Sequence, residues 1–176
     1  MRSTGSLLRR LSEADGVTRC ARALREAKPA SLAGLSGASR ALALLLLRAA
    51  VGRPLAVVGA DDREAARLRR DLEALAPVLG PECECLVLPF PPREADPRAG
   101  IETHPRTAAE RVAALRAARS GAPAILLAPL ASLAQPLPPA ERFDAAFSTL
   151  RAGEEAAPEA LMARLEAAGY ARLETV

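Results

Sequence analysis

The chain has 176 residues, half of them hydrophobic, and a formal net charge of +3 at pH 7. That length is enough for one compact domain burying roughly 70% of its unfolded surface, and the charge is too small to argue by itself for nucleic-acid binding. Phe90, Phe143, Phe147 and Tyr170 are the only aromatic residues and Lys28 is the only lysine, so Ala and Leu must fill a core of closely approaching helices, and the arginine excess reads as coding bias.

From about Ser6 to Ala27 the pattern is helical, with Leu7, Leu8 and Leu11 on one face and Ala21, Leu24 and Ala27 continuing it. Gly16 is expected to divide this stretch into two helices, and Pro29 to end it. The N-terminus lacks the basic-then-apolar order of a signal peptide. Ser31-Leu32-Ala33 follows as a short candidate strand.

Gly34-Leu35-Ser36-Gly37-Ala38-Ser39-Arg40-Ala41 then looks like a phosphate loop with its chemistry removed. A working loop reads G-x-x-x-x-G-K-[ST], sits between a strand and a helix, and cradles phosphates with backbone N–H groups. Gly34 holds the first position and Gly37 keeps the loop supple. Ser39 stands where the second glycine belongs, at a turn an L-residue reaches only at a cost of about 1–2 kcal/mol. Arg40 replaces the lysine, keeping the charge as a broader planar fork. Ala41 has no oxygen to offer Mg²⁺. Gly34, Gly37, Ser39, Arg40 and Ala41 are therefore a vestigial loop, with no cofactor and no ATP hydrolysis expected.

An apolar helix from Leu42 to Val51 comes next, with Gly52 suited to its stop. The longest apolar run, Ala41 to Leu47, ends at Arg48, far short of the ~20 residues of a membrane span. Pro54 to Gly59 reads as a short buried strand. Asp61 and Glu64 have capping-box spacing, opening a helix with its apolar stripe at Ala65, Leu68, Leu72 and Leu75 and its end at Pro77. The charged residues on its other face read as a solvated surface. Cys85 to Leu88 is the next strand. Cys83-x-Cys85 has no second cysteine pair and only His104 as a further ligand, so no metal site is expected. Cys20, Cys83 and Cys85 suit a reduced, cytoplasmic protein.

Pro89 to Pro105 is a proline-rich connection, long for a compact domain. Pro105 fits the first turn of a helix ending near Arg119, with Val112 and Leu115 inward and Gly121 at the stop. Ala124 to Ala128 is a third strand. The alternation predicts an α/β fold with a parallel sheet covered by helices on both faces. After Pro129 the prolines at 136, 138 and 139 punctuate a linker. Ala146 to Leu150 reads as a strand, Pro158 opens a last helix burying Leu161 and Leu165, and Gly169 stops it. Tyr170 to Val176 reads as the start of a strand, so the sequence is expected to continue beyond it.

No nucleophile, base and orienting group can be assembled, so no catalytic residue is assigned. His104 with Glu102 or Glu110 is the best set for a small-molecule enzyme, and a histidine beside proline fits a helix start better. Arg93, Arg98 and Arg106 could touch DNA phosphates around the long connection; a solvated loop is the simpler reading.

The order of these motifs resembles the N-terminal region of the bacterial transcription-repair coupling factor family. The matching pieces are Gly34 to Gly37 with its helix, the Leu55-to-Asp61 strand and turn, and Leu88-Pro89-Phe90. They continue through the helix with Arg111 and Leu115, Ile125 to Pro129 with Leu133, Leu150 to Glu154, and Ala160-Leu161 through Gly169-Tyr170. The likeness runs from about residue 6 to the end.

The resemblance implies a P-loop NTPase or helicase-like α/β domain, similar to the first domain of the excinuclease B subunit and without ATPase function. Residues 1–30 would be an N-terminal helical segment, 31–140 the degenerate helicase-like domain, and 141–176 the incomplete beginning of an inserted domain that contacts the excinuclease A subunit. RNA polymerase and duplex DNA would be partners of downstream regions, as would ATP and Mg²⁺ in the family's motor, a DNA translocase. No membrane association is implied. The excinuclease B subunit itself is the nearest alternative, but it needs Gly-Lys-Thr where Ser39-Arg40-Ala41 stands, and a tyrosine-rich hairpin where Pro89 to Pro105 offers only Phe90 for stacking. An active P-loop ATPase rests on the loop-and-helix pattern alone.

Overall fold

A computed structural model describes residues 14–94, 100, 102–147, 149–153, 157–168 and 170. The chain divides into two units, Met1–Gln135 and Pro136–Val176. The first contains α1 (Asp15–Arg25), α2 (Ala38–Val51), β1 (Leu55–Gly59), α3 (Asp62–Leu79), a 3₁₀ turn (Pro81–Cys83), β2 (Leu86–Pro89), α4 (Pro105–Ser120), β3 (Ala124–Pro129) and α5 (Leu130–Leu133). The second contains α6 (Ala140–Ala145) and α7 (Pro158–Ala167).

The three strands form one small, open, parallel sheet in the order β1-β3-β2, with Leu55 opposite Ile125 and Leu86 opposite Ala124. Every residue of β3 is buried, as expected for an apolar central strand covered on both faces. On one face, Leu55, Val57, Val87, Ile125 and Leu127 join the core made by α1, α2 and α3. On the other, Leu88, Phe90, Ala124, Leu126 and Ala128 meet Ala114, Leu115 and Ala117 of α4. Leu45, Leu72 and Ile125 are fully buried, and such a side chain contributes about 1.5–3 kcal/mol by leaving water.

The expected strand at Ser31-Leu32-Ala33 is absent: these residues belong to no helix or strand. Leu32 turns its side chain toward α1, where Gly16 leaves room for it. A Cβ on Gly16 would stand 2.9 Å from Leu32 Cδ1. Gly16 therefore serves a close approach within the first turn of α1, which begins at Asp15; the expected division of the stretch from Ser6 rests partly on residues outside those described. That helix ends at Arg25, ahead of Pro29. Ala27 N–H donates to Leu24 O and Lys28 N–H to Ala23 O, a Schellman stop in which Ala27 takes the left-handed conformation at φ 54°.

Pro77 does not end α3, which continues to Leu79. A proline there removes one helical N–H only two residues before the helix stops at Gly80, so buried Ala76 holds the last turn in place. On α4 the inward residues are Arg111, Ala114 and Ala117, Leu115 is half-buried, and Val112 is exposed. Small residues bring that helix close to the sheet, and Val112 lies one residue round from the contact line.

In the second unit the expected strand at Ala146–Leu150 is also absent among the described residues. Ala146 N–H donates to Phe143 O and Phe147 N–H to Asp144 O, extending α6 by further turns. The rings of Phe143 and Phe147 then meet edge to face at 4.9 Å, a helical rather than a strand relationship. Helix α7 starts at Pro158 as expected, but buries none of its residues; Leu161 is half-buried and Leu165 exposed. The readings that fall on residues 6–13, Arg98, Gly169 and 171–176 lie outside the described residues.

Candidate functional site

Gly34 and Gly37 both take positive φ, 80° and 52°. Gly37 is the N-cap of α2 with no side-chain capping bond, so the turn into the helix depends on glycine's freedom. Three of the loop's N–H groups are used within the loop itself. Ser39 Oγ accepts from Ser36 N–H at 2.9 Å and donates to Ser36 O at 2.8 Å. Ser39 N–H donates to Ser36 O, and Arg40 N–H to Gly37 O. A phosphate cradle turns such donors on its ligand; three of them here close the turn.

Arg40 is also occupied. Its Nη1 lies 2.6 Å from Glu64 Oε1, and Glu64 Oε2 accepts from Ala60 N–H at 2.7 Å. Asp61 caps α3 by accepting Glu64 N–H at 2.7 Å, which fixes the backbone that presents the carboxylate. The Ala60 N–H, and after it the Arg40 guanidinium, hold the Glu64 carboxyl below its ordinary pKa. An internal carboxylate thus takes the charge that an arginine at this position could offer to a phosphate. Capping-box spacing identified Glu64 but not its partner, because strand β1 brings the two residues together across 24 positions.

Ala41 is completely buried among the residues joining α1, α2 and α3. A hydroxyl at that position would enter an apolar core. Beside the loop lies a polar groove of about 500 Å³ lined by Gly37, Arg40, Arg63, Glu64, Arg67 and Asp71 among others. Of the vestigial loop residues, Gly37 and Arg40 line this groove; Gly34, Ser39 and Ala41 do not.

A second cluster sits where β2 ends. Arg111 is buried, donates from Nη1 to Pro91 O at 2.6 Å, and lies 4.0 Å above the Phe90 ring. Burial, and then the charge of Arg93, pull its pKa down. Gln135 bridges the Arg93 backbone, accepting its N–H at 2.7 Å and donating to its carbonyl at 2.9 Å. The start of the long connection is thereby tied down from two sides. Arg106 pairs with Glu110 at 3.1 Å. His104 is the N-cap of α4, its Nδ1 accepting from Arg106 N–H at 3.2 Å, so Glu110 faces Arg106 in place of the histidine.

Arg48 was legible only as the end of an apolar run, yet it is buried and donates from Nη2 to the carbonyls of Glu82 and Glu84 at 2.7 and 2.9 Å. It pins the turn that carries the cysteines. Burial pushes the Cys83 and Cys85 thiols up, and Arg48 draws both partly back. Raised thiols are poor nucleophiles and poor metal ligands at neutral pH. Among the described residues no three His, Cys, Asp or Glu side chains are grouped to hold a metal ion, and no helix is long and apolar enough to cross a membrane.

Fold and loop together define an α/β protein with a small open parallel sheet, flanked by helices, and a phosphate-loop-like turn closed on itself. No family model and no solved structure matches the chain. Its sequence is similar to the transcription-repair-coupling factor of Bacillus subtilis (strain 168), with 26% identity over 145 residues, 82% of this chain and 12% of that protein. The chain spans about an eighth of the length of the curated relative it matches. That similarity supports a relationship to a repair factor.

Proposed function

We propose that this chain is a non-catalytic, helicase-like module of the transcription-repair coupling type, serving recruitment of nucleotide excision repair to stalled RNA polymerase. The observation that carries the non-catalytic half is the pairing of Arg40 with Glu64 beside a loop in which three N–H groups donate to the loop's own oxygens. The repair half is supported by the similarity to the coupling factor along most of the chain. In this reading residues 31–140 keep the shape of a P-loop NTPase domain without binding ATP or Mg²⁺. Residues 141–176 begin a segment that contacts the excinuclease A subunit, and RNA polymerase and duplex DNA are engaged by other parts of a longer cytoplasmic protein.

Equilibrium dialysis of the chain with labelled ATP, with and without Mg²⁺, tests the first half. No magnesium-dependent binding at micromolar nucleotide is expected; clear binding would instead favour an active ATPase. Biolayer interferometry against purified excinuclease A subunit, with a longer chain containing these residues, tests the second. Association lost on deleting 141–176 is expected, and association indifferent to that deletion would overturn the assignment.

A further inference from the structure

Among the described residues strand β2 has a free outer edge, with a groove beside it. Leu86 N–H donates to Pro123 O at 2.9 Å and Phe90 N–H to Leu127 O at 2.8 Å, so residues 86, 88 and 90 turn their backbone groups toward β3. Strand alternation turns Val87 and Pro89 the other way. Among the described residues β2 pairs with β3 alone. Pro89 has no N–H, which leaves Val87 as the strand's one outward donor, beside its own outward carbonyl.

An open groove of about 710 Å³ runs past this edge. Ala76 and Pro77 at the end of α3 line it on the helical side, and Leu86 and Val87 on the strand side. Leu86 is 53% exposed, a large apolar side chain on an edge strand of the kind that proteins usually cover or replace by a charge. Glu73 and Glu84 are the only charged residues lining the groove. Glu73 is held by Arg69 at 2.7 Å, whereas Glu84 bonds through its backbone, its N–H donating to Pro81 O and its carbonyl accepting from Arg48.

We propose that this edge is a docking site for an extended segment of a protein partner, one that alternates apolar and basic residues and adds a fourth strand beside β2. Main-chain bonds at Val87 would anchor the segment, the surfaces of Pro77 and Leu86 would take its apolar side chains, and Glu84 would select its basic ones. The chemistry disfavours nucleic acid, because a groove with two carboxylates and no basic lining residue repels phosphates. The inference goes beyond the module reading above and stands without it, since it uses neither the phosphate loop nor the second unit.

The test is NMR on the nitrogen-labelled full chain, titrated with a short synthetic peptide alternating valine and lysine, against one alternating valine and glutamate. The lysine peptide is expected to move the Leu86 and Val87 amide resonances and to slow hydrogen exchange at Val87, while the glutamate peptide does neither. Glu84→Arg, an exposed change that leaves the carbonyl in place, should abolish the preference between the peptides. Val87→Pro should weaken binding roughly fivefold by removing the outward donor. Equal binding of the two peptides, no binding, or a preference surviving Glu84→Arg would overturn the proposal. So would a Val87 amide already protected in the free chain, which would mean that the chain covers its own edge.

Discussion

Arg40 and Glu64 meet at 2.6 Å across the mouth of the phosphate-loop-like turn, and the same carboxylate takes the Ala60 N–H with its other oxygen. The pair links α2 to the first turn of α3, and the Ala60 bond ties both to the turn after β1. Both side chains are about a third or more exposed, so the pair adds little to stability. What it does is satisfy the one loop cation from within.

The Glu64 carboxyl has a folded pKa below its ordinary value near 4.5. A depressed acid stabilises the folded state above its unfolded pKa, and that contribution is lost as pH falls through the folded pKa. Glu64→Gln should therefore be less stable than the parent at neutral pH, with the difference shrinking below about pH 4.5. Urea unfolding of both proteins at neutral and acid pH measures this. A difference that grows in acid would contradict the Ala60 and Arg40 bonds to the ionised carboxylate.

Restoring the motif should not restore the site. Ser39→Gly, Arg40→Lys and Ala41→Thr together recreate the residue types of a working loop, but position 41 is fully buried. A threonine there brings extra volume and an unpartnered hydroxyl into the core, costing about 1–3 kcal/mol. The expected outcome is a lower urea midpoint and unchanged ATP binding by dialysis. A gain in magnesium-dependent affinity would show that the loop retains the geometry of a cradle.

The three strands were legible because each is a short apolar run bounded by Pro, Gly or polar residues; Leu55–Gly59, Leu86–Pro89 and Ala124–Pro129 all fall within a residue of where the pattern puts them. The caps were legible too, from Asp61, Pro105, Gly52 and Gly121. Ser31-Leu32-Ala33 misled because a short segment with an apolar residue before a glycine reads the same whether it joins a sheet or, as Leu32 does, fills the space over Gly16. Phe147 misled because an aromatic residue suits a strand and an i,i+4 helical ring pair equally. Of the site, the missing hydroxyl at Ala41 could be read directly. The closure by Glu64, the stacking of Arg111 on Phe90 and the burial of Arg48 could not, since each depends on a contact between distant segments.

Ala27 is exposed and holds the left-handed position at the end of α1 with φ 54°. Ala27→Gly removes the Cβ strain of that conformation, while glycine's extra freedom in the unfolded chain offsets part of the gain. A net stabilisation of roughly 0.5–1 kcal/mol is expected, read as a higher urea midpoint at unchanged slope. A destabilised glycine variant would mean that the Schellman bonds from Ala27 and Lys28 do not hold in solution.

The contact between α4 and the sheet is built from small residues, with Ala114 fully buried and Ala117 nearly so. Ala114→Leu must push the helix away from Leu126 and Ala128 or force strained rotamers, and should cost about 1–3 kcal/mol. Val112, one residue round the same helix, is 41% exposed, and Val112→Thr should stay within about 0.5 kcal/mol. Paired urea titrations distinguish this register from the one in which Val112 points inward. There the order of the two variants would be reversed, because a buried threonine would leave its hydroxyl unpartnered while a leucine at position 114 would face water.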